Sequence, residues 1–256
     1  MNLVLASSSP RRRELLTQAG FTFTVHPAHI NEDLLPNEDP IAYVTRLARQ
    51  KAEAVYRQLT SPANTTAPGS ALKGHDFSRA INSAELTGAL APEGSSSASQ
   101  NRPGAPGPGS PRTGPRPGGG DPSPLGTWET ANPNLVCLGA DTTVTLDNHI
   151  LAKPEDAADA TRMLRLLSGR THHVITGVAI VTAARTEVAA EVTAVRFLTL
   201  SDEDIAAYIA TGEPMDKAGA YAIQGLAARW IPRIEGDYFN VVGLPLALVT
   251  NMLQSL

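Results

Sequence analysis

The sequence predicts an α/β protein built on one sheet that mixes parallel and antiparallel strands. Three observations carry that prediction. A short apolar run, "NLVLA", leads at once into a capped helix start, "SSSPRRRELL". Two long strand-like runs, "HHVITGVAIVTA" and "EVTAVRFLTL", follow one another with only a short break. The helical stretches around them do not alternate strictly with strands, so neighbouring strands need not all be parallel.

In chain order, residues 2 to 6 read as a buried strand. Ser9 is a good N-cap and Pro10 suits the first helical position, so a helix begins there and stops near Gly20. "FTFTVHP" alternates as a strand does. A second helix runs from about Pro40 to about Leu59. "LVCLGADTTVTLDNHILAKP" reads as two buried strands joined by a turn at Asp147–Asn148. "EDAADATRMLRLLSG" is an amphipathic helix with Met163, Leu164 and Leu167 inward and Gly169 as its stop. "SDEDIAAYIATG" carries a capping box, Ser201 with Asp204. "GEPMDKAGAYAIQG" reads as a glycine-punctuated loop, "WIPRIEGDYFNVV" as a hairpin, and a last helix follows Pro245.

Between about residue 60 and residue 133 the periodicity lapses. From Asn101 to Pro124, 15 of 24 residues are Pro or Gly without a collagen repeat. That density opposes any packed element, so the expectation is one domain over 1–256 interrupted by a disordered insertion. A short helix near 76–90 is the one element expected within it.

The 256 residues are 42% hydrophobic, enough for a substantial core. A formal charge of −4 argues against a general nucleic-acid binder. The single cysteine, Cys137, excludes an internal disulfide and fits a reducing compartment. No apolar run approaches the ~20 residues of a membrane span, and the arginines follow the first apolar run instead of preceding it. A cytoplasmic protein with no membrane partner is expected.

Five features could carry chemistry. Ser7, Ser8, Ser9, Arg11 and Arg12 stand at a helix start, where free N–H groups attract anions. Cations there cost about 0.3–1 kcal/mol each unless an anion arrives, and a solvated basic turn is the alternative. Lys51 shares a helix face with Val44, Ala48 and Val55, either snorkelling or reaching into a cleft. Asp141 ends the apolar run "LVCLGA", where an ionised carboxylate needs a partner or a cation. Lys153 follows the next strand, in reach of Asp141 if the hairpin forms. The loop bearing Glu213, Asp216, Lys217 and Gln224 could approach a ligand, with Gln224 offering donor and acceptor to a base edge. His172 and His173 point to opposite faces of a strand and read as structural. Phosphate-loop, GxGxxG, HExxH and GxSxG patterns are absent.

Together, "LASSSPRRRELL", "VTRLARQKA", "LGADTTV", "AKP", "MLRLLSGRTHHVITGV", "GEPMDKAGAYAIQG" and "FNVVGLP" resemble the Maf family of nucleoside triphosphate pyrophosphatases. The resemblance spans nearly all of the chain except the insertion. It implies a fold like that of the inosine triphosphate pyrophosphatases: an elongated mixed β-sheet with surrounding helices, two lobes and a central cleft. It implies hydrolysis of a nucleoside triphosphate to monophosphate and pyrophosphate, a divalent cation (Mg²⁺ or Mn²⁺) and a homodimer. Asp141 falls on the family's catalytic base, and Ser7, Arg11, Arg12, Glu32, Lys51 and Lys153 on its cleft residues. Glu32 and Asp141 are the candidate metal ligands. Arg11, Thr142 and Gln224 match the dTTP/UTP branch; the 7-methyl-GTP branch typically has an aromatic residue in place of Arg11. Asn31 departs from the family, where an acidic residue is common. A different nucleotide such as 7-methyl-GTP, or a nucleotide-binding role in regulating septum formation, stays open at this stage.

Overall fold

Strands from either side of residues 62–132 pair into a single sheet. The computed structural model describes residues 1–61 and 133–256. The expected order or disorder of the insertion, and its helix at 76–90, lie outside the described residues. The sheet has seven strands: β1 (Asn2–Leu5), β2 (Phe23–Val25), β3 (Leu135–Leu146), β4 (His149–Leu151), β5 (Thr171–Val181), β6 (Thr186–Arg196) and β7 (Arg233–Glu235). Their order is β2-β1-β3-β5-β6-β7, with β4 also paired to β3. β1 runs parallel to β2 and β3, and every other pairing is antiparallel. At roughly 3.3 Å per residue, β3, β5 and β6 are long enough to make the sheet elongated.

Side-chain alternation divides the core in two. Leu3, Leu5, Val136, Leu138 and Ala140 point to one face, covered by α1 (Pro10–Gln18), α3 (Ala157–Leu167), α4 (Asp202–Ala210) and α6 (Leu246–Gln254). Val4, Ala6, Leu135 and Cys137 point to the other, where α2 (Pro40–Thr60) lays down Ala48, Ala52 and Val55. Burial pushes the Cys137 thiol up to about 12, so it packs as a small apolar group.

Local chemistry sets the element ends as expected. Ser9, Asp39, Asp156 and Ser201 each accept a backbone N–H at a helix start. Asp147 and Asn148 both take positive φ, the two-residue turn that matches strand twist. β4 is shorter and more open than expected, with His149 exposed. One expectation fails: 230–242 is not a hairpin. Only Arg233–Glu235 is strand, pairing with β6, and Tyr238–Val242 is a helical turn, α5. Asp237 decides this, because its carboxylate accepts the Phe239 N–H at 2.8 Å and starts a helix where "YFNVV" alternates. The loop after α4 also contains short 3₁₀ turns, at Glu213–Asp216, Ala218–Ala220 and Leu226–Trp230.

Among the described residues, no helix is long and apolar enough to cross a membrane.

Candidate active site

A cavity of about 580 Å³ gathers Ser7, Arg11, Arg12, Glu32, Lys51, Asp141, Thr142, Lys153 and Gln224, with Asp216 and Lys217; Glu213, also singled out, is not among its lining residues. That volume suits a nucleotide-sized ligand.

One side of the cavity is the start of α1. No acidic residue occupies the first turn. Arg12 folds back over that turn instead of pointing to solvent. Its Nε donates to the Gly243 carbonyl at 2.8 Å, Nη1 to Ser7 Oγ at 3.2 Å and Nη2 to Thr142 Oγ1 at 3.0 Å. Three of its five N–H donors are thereby used, leaving two for a ligand. Burial lowers the Arg12 pKa and Asp141 opposes that shift; the guanidinium stays charged. Thr142 Oγ1 also bonds Thr176 Oγ1 at 2.9 Å, and Thr176 donates to the Asn240 carbonyl. Asn240, fully buried, ties α5 to Val174 and Thr193. This network fixes the Gly243 carbonyl that Arg12 needs, and sequence reasoning missed it. Arg11 reaches across to Asp216 at 3.9 Å, and Arg13 is exposed.

The same cavity is lined by a charge triad. Lys51 does not snorkel: only 8% exposed, its Nζ lies 2.7 Å from Asp141 Oδ1 and 2.7 Å from Glu32 Oε1. Asp141, buried on β3, thus has the partner its position demanded. No described residue bonds its Oδ2. The hairpin β3–β4 forms as expected, yet Lys153 is not the partner of Asp141. It is exposed on the cavity rim and makes no ion pair among the described residues.

Glu32 sits on a loop pinned to α2. Tyr43 donates its hydroxyl to the Glu32 carbonyl at 3.0 Å. Arg46 grips Glu38 bidentately at 2.6 and 2.7 Å and donates to the Asp33 carbonyl. Burial, with Asp141 and Glu32 nearby, pushes Tyr43 up to about 12, so it remains a donor. Asn31, the departure noted above, accepts the Asp33 N–H at 2.8 Å and shapes the same loop.

Lys51 can reach Asp141 because α2 lies unusually close to the sheet. A Cβ on Gly139 would stand 2.1 Å from the Ala48 carbonyl oxygen, and one on Gly177 would stand 2.4 Å from that of Val44. Gly177 is the direct cross-strand neighbour of Asp141. A glycine inside each strand pattern, "LGAD" and "ITGV", was the available clue to such an approach.

A family model described as Maf-like protein matches residues 2–81 and 123–256. The chain belongs to that family. Relatives named dTTP/UTP pyrophosphatase match this Maf-like chain over almost its whole length. That of Koribacter versatilis is 40% identical over 254 residues, covering 99% of this chain and 94% of the relative. That of Bacillus pumilus is 34% identical over 253 residues, covering 99% and 95%. That of Symbiobacterium thermophilum is 39% identical over 251 residues, covering 98% and 92%.

Among the described residues of this Maf-like protein, no group of three or more His, Cys, Asp or Glu side chains could hold a metal ion. Asp141 and Glu32 meet at one ammonium and are two oxygen ligands at most. Such a sparse set fits Mg²⁺ or Mn²⁺ only where substrate phosphates and water complete the shell.

His172 and His173 behave as the alternation requires. His173 is exposed; His172 is fully buried, bonded to Tyr221 Oη at 2.8 Å and edge-on to Phe197. Burial, reinforced by His173, holds His172 down to about 3. The unfolded chain therefore takes up this proton below about pH 6.5 while the folded protein does not, so stability falls with pH from 6.5 toward 3. Between pH 7 and pH 5 the Maf-like fold should lose about 2 kcal/mol from this group. Glu38, which Arg46 holds below its ordinary 4.5, adds its loss only at lower pH. Urea titrations at pH 5, 6 and 7 check this: the slope with pH should shrink in His172→Gln.

Proposed function

We propose that this Maf-like protein is a nucleoside triphosphate pyrophosphatase that hydrolyses dTTP and UTP to the monophosphate and pyrophosphate. One observation carries the reading: a cation-bearing helix start and a lysine-held carboxylate line one nucleotide-sized cavity. The names of the relatives support the choice of substrate.

The triphosphate lies against the α1 N-terminus. Its oxygens take the spare N–H donors of Arg12, with Ser7, Arg11, Lys51 and Lys153 adding charge or hydrogen bonds. Thr142 acts through Arg12, whose guanidinium it orients. Water attacks the α-phosphorus and gives its proton to Asp141 Oδ2 as the new P–O bond forms. The bond from the α-phosphorus to the bridging oxygen breaks, and pyrophosphate leaves with that oxygen. Lys51 keeps Asp141 aimed while it does so. Asp141 and Glu32, together with the phosphates, would hold a divalent cation, which would supply charge neutralisation there. Gln224 and Arg11 face the base end and favour a pyrimidine. The assembly proposed is a homodimer, and the compartment the cytoplasm.

The test is a panel of dTTP, UTP, dGTP and 7-methyl-GTP with Mg²⁺ or Mn²⁺, reading pyrophosphate. The expected result is highest kcat/KM for dTTP and UTP. A clear preference for 7-methyl-GTP would overturn the substrate assignment, and no release from any of them would overturn the activity.

A further inference from the structure

Gln224 is exposed on the short segment from Ala222 to Leu226, and that backbone needs an anchor to present it reproducibly. The anchor is a pair of side chains outside the segment. Tyr208, 1% exposed near the end of α4, accepts the Ala222 N–H at 3.1 Å. Its hydroxyl donates to Glu213 Oε1 at 2.8 Å. Glu213, half-buried, accepts the Leu226 N–H at 3.1 Å on Oε1 and 3.3 Å on Oε2. The pair therefore grips the backbone two residues before and two residues after Gln224. Gly225 completes the fit, because a Cβ there would stand 2.0 Å from Glu213 Oε1. Burial and the adjacent carboxylate raise the Tyr208 pKa, so the phenol remains a donor.

We propose that Glu213 is a positioning residue for substrate selection, fixing Gln224 at the base end of the cavity through Tyr208 and the Leu226 amide. This rests on the reading of Gln224 as base-facing. The turn that begins at Glu213 ends at Asp216, the partner of Arg11, so the same short turn also meets the other residue assigned to that end. Side chains that present a contact act as a unit with it, so their losses do not add.

The experiment compares kcat/KM for dTTP and dGTP in wild type, Glu213→Ala, Glu213→Gln, Gly225→Ala, Gln224→Ala and Glu213→Ala/Gln224→Ala. Glu213→Ala should lower the dTTP:dGTP ratio about tenfold, the effect of one lost hydrogen bond to the base. The KM for dTTP should rise more than kcat falls. The double variant should be no worse than Gln224→Ala. Glu213→Gln keeps the shape and an acceptor for Leu226, and should restore the ratio to within about twofold of wild type. Gly225 has φ −105°, open to alanine, so Gly225→Ala displaces only the flexible carboxylate and should reproduce Glu213→Ala. It decides the matter if Glu213→Ala does not fold. If Gln224→Ala lowers the ratio while Glu213→Ala and Gly225→Ala do not, the inference is overturned and the reading of Gln224 stands. If Gln224→Ala itself leaves the ratio unchanged, that reading falls and the inference falls with it.

Discussion

Asp141→Asn should fold normally and release pyrophosphate from dTTP about 10²–10⁴ times more slowly than wild type, the range lost with a general base. The substitution keeps size and shape. The asparagine oxygen still accepts from Lys51 Nζ, now 2.7 Å from Oδ1, and only proton acceptance at the other atom is lost. Charge also changes, since the triad of Asp141, Glu32 and Lys51 goes from one net negative charge to neutral. Purified protein with a wild-type circular dichroism spectrum and near-normal turnover would remove Asp141 from the base role. A collapse of turnover with an unchanged unfolding midpoint would establish that the loss is chemical.

Gly139→Ala and Gly177→Ala should each destabilise the protein by about 3 kcal/mol and lower turnover of the folded fraction about 100-fold. The reason is geometric. The added methyl meets backbone carbonyl oxygens of α2 at 2.1 and 2.4 Å, and backbone cannot rotate away as a side-chain end can. The helix must lift, and Lys51 lifts with it, away from an Asp141 buried on the assumption of its ammonium. Urea midpoints measure the first effect and pyrophosphate release at low urea the second. Wild-type values for both would show that α2 has slack the close packing conceals. A stability loss without an activity loss would mean that Lys51 can follow Asp141 despite the shift.

Much of the fold could be read from local chemistry. The α1 start follows from "SSSP", the β3–β4 turn from Asp147–Asn148, and α2 from its apolar spacing, because each depends on neighbours in sequence. The error at Tyr238–Val242 was local too: a cap one residue earlier outweighed a strand-like alternation. Most of the residues that line the cavity were legible from local pattern, and Glu32 and Thr142 through the resemblance, but their contacts were not. Lys51 and Asp141 are 90 residues apart, and Arg12 and the Gly243 carbonyl 231 apart. No periodicity encodes such meetings. They follow from sheet order, and from two glycines whose missing side chains set how near a helix may come. Lys153 shows the cost of reasoning from a hairpin alone: the turn forms, while the ion pair goes to a helix that arrives from the other face.

The ends of α2 and β3 that flank residues 62–132 have a consequence for how this chain can vary. Ser61 lies ten residues past Lys51, roughly 15 Å further along the helix axis. Asn134 precedes Asp141 by seven residues of nearly continuous strand, roughly 23 Å. Both cut points are therefore well removed from the charge triad, and rigid elements separate them from it. A length change that leaves α2 and β3 intact should therefore leave the Lys51–Asp141 pairing in place, which turnover of a variant shortened between residues 82 and 122 would check. The distance leaves room there for a reporter or a tether, set apart from the triad by a helix at one end and a strand at the other.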